Sequence, residues 1–471
     1  MRWVFRILLV LLLLGAAGVG ALWYTLFYEP PPDARLACYY GAYDLSDGRV
    51  VVVNPSSGTQ SLRFVFMDGD TGRLLPVAGQ SVPKRFTAGP GYSGETPVRA
   101  VADFGDCGSG AISLALDGKP ALTGTQRTFD ITPVTFTSHG TKLAGKLVMP
   151  RLEGAIPVAV LVHGSERDSA VLFNRLQYLL PANGIGAFVY DKRGTGESDG
   201  SYTQDFDLLA DDAAAALTKA RQLAGNLASE VGFQGGSQAG WIEPLAAMKV
   251  KAEFVLVGFG LAESPHAEDR EVVYDDLTAA GFGSEDVLAK SREITDATAI
   301  VLGSHFTTGF DRLDAVKAKF GNEPWFKHIK GQYTGLLLSY PTWLARVLGP
   351  WLDAKTPIDY DPLPPLQAYQ GPSLWVLAGR DALAPSRNTL RILRDLQPTH
   401  PSLSVVLFPT ADHGMTEFVE HNGERLDTHF SRGYFPLIVD WLLFKDIRIT
   451  APGPIVYRNG QPQPPAAERT P

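Results

Sequence analysis

The hexapeptide Gly235-Gly236-Ser237-Gln238-Ala239-Gly240 places a hydroxyl between an apolar run at 231–234 and a helical stretch from about 238. A serine on so tight a strand-to-helix bend has the makings of a nucleophile. Its backbone is strained, its neighbours must be small, and the helix end offers N–H groups to a developing oxyanion. A serine needs a base, and the base needs a group that fixes its tautomer. Two later apolar runs end in such groups. The run at 374–377 leads into Gly379-Arg380-Asp381, and the run at 403–408 into Ala411-Asp412-His413-Gly414. Ser237 is therefore the expected nucleophile, His413 the base and Asp381 its orienting carboxylate. Asp412 is the rival acid, disfavoured because adjacent residues rarely face each other. The oxyanion donors are expected to be the backbone N–H groups of Gln238 and of Ser165, in the turn Val162-His163-Gly164-Ser165. His163 reads as structural.

The loop Asp191-Lys192-Arg193-Gly194, with Gly196-Glu197-Ser198, follows another apolar run. Its charges are expected to pair internally and fix the rim of the site. It has the glycines of a phosphate loop but no Gly-Lys-Ser/Thr. No spacing of His, Cys and carboxylates suits a metal, and no organic cofactor is expected.

These groups need a frame. From 131 the pattern is a hairpin (134–137 and 143–148), then apolar strands at 158–162, 187–190, 231–234, 254–257, 374–377 and 403–408. Helical stretches lie near 169–182, 205–224, 238 onward, 386–396 and 433–445. Uniformly apolar strands separated by helices indicate a doubly wound, mostly parallel sheet covered on both faces. The alternation breaks at about 261–365, which reads as a helical cap. Its acidic run (Glu263, Glu268, Asp269, Glu271) would either hold a substrate amine or form a solvated helix face. Its aromatics (Trp325, Phe326, Tyr333, Tyr340, Trp343, Trp351) would line an acyl pocket or form the cap's own core. Residues 39–130 are short β runs broken by turns, a small β domain with a hairpin turn at Asp117-Gly118. Residues 29–38 read as a linker, 131–450 as the α/β domain and 451–471 as a Pro-rich, loose tail.

Residues 7–27 are 21 uncharged, almost wholly apolar positions behind Arg2 and Arg6. That length spans a bilayer core of about 30 Å and directs the rest of the chain outward. Val19-Gly20-Ala21 would serve as a signal-peptide cleavage site. The continuing Leu22, Trp23, Tyr24, Leu26 and Phe27 favour an uncleaved anchor at 1–28. Export allows Cys38 and Cys107, the only cysteines, to pair; two buried thiols fit nearly as well. The chain has 471 residues, is 45% hydrophobic and carries a net charge of −8, which excludes a disordered chain and a basic nucleic-acid face.

Val162 to Ser165, Tyr190 to Ser198, Gly235 to Leu245, Leu377 to Asp381 and His413 together resemble the α/β-hydrolase superfamily. More narrowly they resemble exported bacterial serine esterases near its serine-aminopeptidase-like branch. The resemblance covers 131–447 well and 39–130 only in texture. Ala239 and Glu243 depart from the commoner pattern of Gly and Ala. The resemblance implies hydrolysis of an ester, thioester or amide through Ser237, Asp381 and His413. The expected substrate is a small ester or acyl compound, with a carboxylic ester first. An amidase or peptidase is the rival enzyme, and a binding protein that lost activity the rival of another class. The expected location is the outer face of the membrane, the periplasm or the exterior. Acyl length and oligomeric state stay open.

Overall fold

The computed structural model describes residues 31–79, 81–449 and 451–463. The apolar stretch at 7–27 and residues 464–471 lie outside the described residues. Among the described residues no helix is long and apolar enough to cross a membrane.

The small β domain is a closed antiparallel barrel. Its strands are β1 (Gly41–Leu45), β2 (Val50–Pro55), β3 (Leu62–Phe66), β4 (Thr71–Pro76), β5 (Arg85–Ala88), β6 (Ala100–Phe104), β7 (Ala111–Leu116) and β8 (Leu122–Gln126). They pair in sequence order, and β8 closes on β1 with Tyr43 opposite Gln126. Closure leaves no unpaired edge. Alternation fills the interior, with Tyr43, Phe64, Phe86 and Phe104 packed together and Tyr39 stacked on Phe104 at 4.4 Å. Asp117 and Gly118 take φ of 53° and 69°, the left-handed pair that a two-residue hairpin turn requires. Where a linker was expected, Ala34–Tyr39 forms a 3₁₀ turn tied to the barrel by a Cys38–Cys107 disulfide.

The second sheet contains β9 (Phe129–Ser138), β10 (Thr141–Pro150), β11 (Ile156–Val162), β12 (Gly186–Tyr190), β13 (Ala228–Gly236), β14 (Val255–Gly258), β15 (Ser373–Ala378) and β16 (Leu403–Phe408). Across the sheet the order is β9-β10-β12-β11-β13-β14-β15-β16. Strands β11 to β16 run parallel, and the β9–β10 hairpin joins antiparallel at one edge. The carboxyl ends of β11, β12, β13, β14, β15 and β16 therefore open on one edge, where ligands of such sheets bind. β12 and β15 are buried throughout, because helices cover both faces.

Two hairpins were not expected. β17 (Thr416–His421) and β18 (Glu424–Phe430) turn at Asn422-Gly423, a strong hairpin signal inside a polar stretch. The tail is not loose over its described part. β19 (Ile455–Arg458) adds antiparallel to β16, and β20 (Gln461–Pro462) folds back on it. The Ile-Val-Tyr run supplies the apolar face that the surrounding prolines obscured, and Tyr457 is buried.

The cap between β14 and β15 comprises helices Pro265–Ala279, Glu285–Gly303, Phe310–Phe320, Thr334–Ser339, Thr342–Leu352 and Leu363–Ala368. It has its own core, including Leu277, Ile294, Leu313, Phe320 and Trp325. Its acidic run is not a solvated face, because Glu263, Glu268, Asp269 and Glu271 are all buried. Asp269 accepts from Tyr333 N, Thr334 N and Thr334 Oγ1 within the cap, and Glu271 pairs at 2.9 Å with Arg387 of the helix Arg387–Leu396, which ties the cap to the α/β domain. Burial, helped by the charge of Glu271, pushes the Glu263 carboxyl up.

The barrel is packed against the α/β domain. Ala42, Val52 and Val65 join the core beneath β11 and β12, and Phe430 N donates to Gly69 O at 2.9 Å. The disulfide closes a loop across a sequence separation of 69. Loops of that size contribute about 2–4 kcal/mol. Replacing Cys38 and Cys107 by Ser should lower the urea-unfolding free energy by about that amount, and native protein should show no free thiol.

Candidate active site

Ser237 sits between β13 and helix Ala239–Ala247, at φ 55°, a left-handed conformation rare for a residue with a side chain. Its N–H donates to Gly258 O at 3.0 Å, and its carbonyl accepts from Gly240 N at 2.9 Å. The bend tolerates nothing larger than glycine behind it. A Cβ on Gly235 would lie 2.5 Å from the Ala239 methyl and 2.6 Å from Glu243 Oε1, and one on Gly236 would lie 2.3 Å from the Phe259 ring. Ala239 is therefore accommodated by the space that Gly235 leaves open. Glu243 is fully buried, its carboxyl oxygens have no hydrogen-bond partner among the described residues, and burial pushes it well above the ordinary carboxylate range.

His413 and Asp381 are in direct contact. His413 Nδ1 lies 2.9 Å from Asp381 Oδ2 and 3.1 Å from Oδ1, so Nδ1 carries the proton that Asp381 accepts. Asp381 is held in place by its own turn, accepting from Leu383 N at 3.0 Å and Ala384 N at 2.7 Å. Asp412 does different work. It accepts from Ala382 N at 3.0 Å, from His413 N at 2.8 Å and from Arg425 at 2.5 Å, lacing the two loops together. Burial pulls the imidazole pKa down. The hydrogen bond and charge of Asp381, with the nearby Glu166 and Asp412, outweigh it and leave His413 above its ordinary value.

A cavity of about 300 Å³ lies beside His413 and the Gly235–Gly236 bend, and Ser237, Asp381, Gln238 and Ser165 are not among its lining residues. His413, Gly235, Gly236 and Phe259 lie on one side, Val162 to Gly164 and Glu166 on another, and Phe173, Leu176, Tyr434 and Phe435 form apolar wall. Phe259, which the sequence reading passed over, ties the elbow to the base: its ring covers Gly236 and meets the His413 ring edge to face at 5.0 Å. Its place just beyond β14 was the available signal. Among the described residues no hydrogen bond joins Ser237 Oγ to His413. Such contacts often tighten only with substrate bound.

The donors expected for an oxyanion stand at two loop ends. Gln238 caps helix Ala239–Ala247, and its N–H donates no backbone hydrogen bond among the described residues. Ser165 is exposed at the rim, with its carbonyl accepting from Tyr202 Oη at 2.6 Å. His163 is buried in the same loop, with Nε2 2.8 Å from Asp168 O. Lys192 is buried and donates to Gly164 O at 2.5 Å; burial pulls its pKa down to about 7. The Asp191 carboxylate accepts within that loop from Glu197 N at 3.0 Å, while its other contacts and those of the Lys192 and Arg193 side chains reach neighbouring elements. Arg193 forms a buried fork with Asp212, and Asp191 accepts from Ser169 Oγ at 2.7 Å and Val171 N at 3.0 Å. Consecutive side chains point apart, so each finds a different partner. Among the described residues no group of His, Cys, Asp and Glu could hold a metal ion.

No family model and no curated protein matches the chain. Among solved structures it is similar to α/β-hydrolases. An esterase of Pyrococcus furiosus is 15% identical with a TM-score of 0.40, over 60% of this chain and 84% of that one. The acylaminoacyl peptidase of Pyrococcus horikoshii is 14% identical with a TM-score of 0.37, over 75% and 50%. Est1E of Butyrivibrio proteoclasticus, with ferulic acid bound, is 15% identical with a TM-score of 0.36, over 66% and 96%. These overlaps are too loose to transfer activity or residue roles. The strand order and the bend after β13 define a mostly parallel α/β sheet with a strand–turn–helix elbow at Ser237.

The raised pKa of His413 has a consequence for folding. The folded state holds that proton more tightly than the unfolded chain does. The stabilisation is complete below the unfolded value, about 6.5, and is lost as pH rises through the folded value. Asp381→Asn removes its source, so the stability gap between wild type and variant in urea should be wider at about pH 5.5 than at about pH 9.

Proposed function

We propose that this chain is a serine hydrolase that cleaves carboxylic esters through an acyl-enzyme. The observation that carries the reading is the 2.9 Å His413–Asp381 hydrogen bond, formed on the same sheet edge as a left-handed Ser237. Ser237 Oγ attacks the ester carbonyl and His413 Nε2 takes its proton, while Asp381 stabilises the resulting imidazolium. The N–H groups of Gln238 and Ser165 receive the tetrahedral oxyanion, and the helix N-terminus at Ala239 adds its dipole. His413 then protonates the leaving alcohol. A water activated by His413 attacks the acyl-enzyme and releases the acid and Ser237. Lys192 holds the Gly164 carbonyl, which steadies the Ser165 donor. The apolar wall of the cavity suits a compact acyl group.

The same machinery would serve an amide if His413 protonates the leaving amine. The ester is preferred because two of the acidic residues that would have recognised a substrate amine are already engaged, Asp269 by Thr334 and Glu271 by Arg387. Arg2, Arg6 and the apolar stretch at 7–27 support a location outside the cytoplasm, with the chain anchored to or released from the membrane. The Cys38–Cys107 disulfide suits that oxidising side.

Ser237→Ala should reduce turnover of a short-chain aryl ester by roughly 10⁵–10⁶-fold and abolish labelling by a fluorophosphonate. Activity near the wild-type level in that variant would end the assignment. The acid limb of kcat/KM should lie above about pH 6.5, because only neutral His413 acts as base. Asp381→Asn should move that limb down and cost about 10⁴-fold in rate. Turnover of the aryl ester should exceed that of an aminoacyl anilide, and the reverse order would make the enzyme a peptidase.

A further inference from the structure

Helix Thr342–Leu352 has its small residues inside and its large ones outside. Thr342 and Gly349 are buried, Gly349 lies against the Phe306 ring, and Ala345 packs on the cap's core. The outward stripe holds Trp343, Val347 and Trp351, which are 65%, 58% and 88% exposed. Leu336, Tyr340 and Leu352 are exposed too and extend the patch. An amphipathic surface helix normally turns its apolar stripe inward. Contiguous apolar patches of this kind mark a surface with a partner.

Three observations select a lipid bilayer. The stretch 333–352 has one charged side chain, the cation Arg346, exposed beside Asp311. Trp and Tyr with a lone cation make the composition that settles at the headgroup boundary. Second, the helix has 11 residues, and among the described residues none is long and apolar enough to span, so the fit lies in the plane of the membrane. Third, the apolar stretch at 7–27 joins the barrel through a short connection. Asp33 N is already bonded to Thr59 O on the barrel, and only 28–32, with three prolines, separate it from the apolar stretch at 7–27. At about 3.1 Å per residue such a connection reaches roughly 20 Å, which keeps the body beside any bilayer that holds 7–27.

We propose that the cap face carrying Trp343, Val347 and Trp351 lies in the headgroup layer of a phospholipid bilayer. The proposal goes beyond hydrolysis and rests on reading 7–27 as the membrane segment. It also orients the site. Just past the helix, Ala354 O accepts from Gln204 N at 2.6 Å and from Thr203 Oγ1 at 3.1 Å, beside the Tyr202 that bonds Ser165 O. A docked cap therefore sets the rim of the cavity near the lipid surface.

Both native cysteines are spent in the disulfide, so a cysteine at 347 can be labelled alone. The test uses the full chain in vesicles of phosphatidylcholine and phosphatidylglycerol, with bimane on Val347→Cys. The emission should shift to the blue and be quenched by lipids brominated in their acyl chains. The same label on Glu285→Cys, at an exposed helix start, should show neither effect. Water-like emission at both positions overturns the proposal. A blue shift at 347 that appears in detergent without vesicles and grows with protein concentration also overturns it, because a second copy then covers the face. Adding Trp343→Ser and Trp351→Ser should abolish the quenching and leave soluble aryl-ester turnover unchanged; persistent quenching refutes the docking role of this stripe. Fluorophosphonate labelling of Ser237 is read separately, so failure of the hydrolase reading and failure of membrane docking are distinguishable.

Discussion

The hydrogen bond between His413 and Asp381 is the constraint on which the candidate site depends. Each residue stands on a loop beyond a different strand, 32 positions apart in the chain. Two loops of that kind would drift unless tied, and Asp412 ties them. Its carboxylate gathers Ala382 N, His413 N and the Arg425 guanidinium, so the imidazole reaches Asp381 from a fixed angle. Charge-assisted hydrogen bonds to backbone donors suit this role, being strong and directional. The acid adjacent to the base is thus a positioning residue, and the acid that contacts the imidazole is remote in sequence.

The other half of the site is held by exclusion of volume. Ser237 keeps its left-handed backbone because Gly235 and Gly236 let the chain pass under Ala239, Glu243 and Phe259. The Phe259 ring then rests on both the bend and the His413 ring, which couples the nucleophile side of the cavity to the base side by packing alone. Opposite, Lys192 and the Arg193–Asp212 fork anchor the loops after β11 and β12. Breaking one partner of such a buried pair leaves an uncompensated charge, so these anchors are stiff.

The barrel and the cap extend this rigidity outward. The segment Ala170–Leu176 lines the cavity on one side and packs against the barrel on the other, and the Arg175 guanidinium stacks over Phe430 at 4.5 Å. Asp269 ties two of the cap's own segments together, and Glu271 ties the cap to Arg387. Its inner aromatics, such as Trp325, fill its own core, while Trp343 and Trp351 face outward. The residues lining the cavity all come from the α/β domain, so the barrel and the cap act on it only through what they pack against.

Much of this was legible in the sequence. Gly-Gly-Ser after an apolar run, and acid and base groups after two later runs, are local patterns. They follow from backbone sterics and from the need of a parallel sheet to be apolar throughout. The Asn422-Gly423 hairpin and the Ile455 to Tyr457 strand were equally local signals, hidden by polar and Pro-rich surroundings. Other features were decided only in three dimensions. Closure of the barrel depends on β1 meeting β8, some eighty residues apart in sequence. The roles of Asp412, Lys192 and Phe259, the burial of the acidic run and the outward face of helix Thr342–Leu352 depend on which neighbours arrive after folding. Periodicity tells which residues are apolar and where chains turn. Pairing between distant segments, and hence which charge is satisfied and which apolar face stays bare, is set by packing.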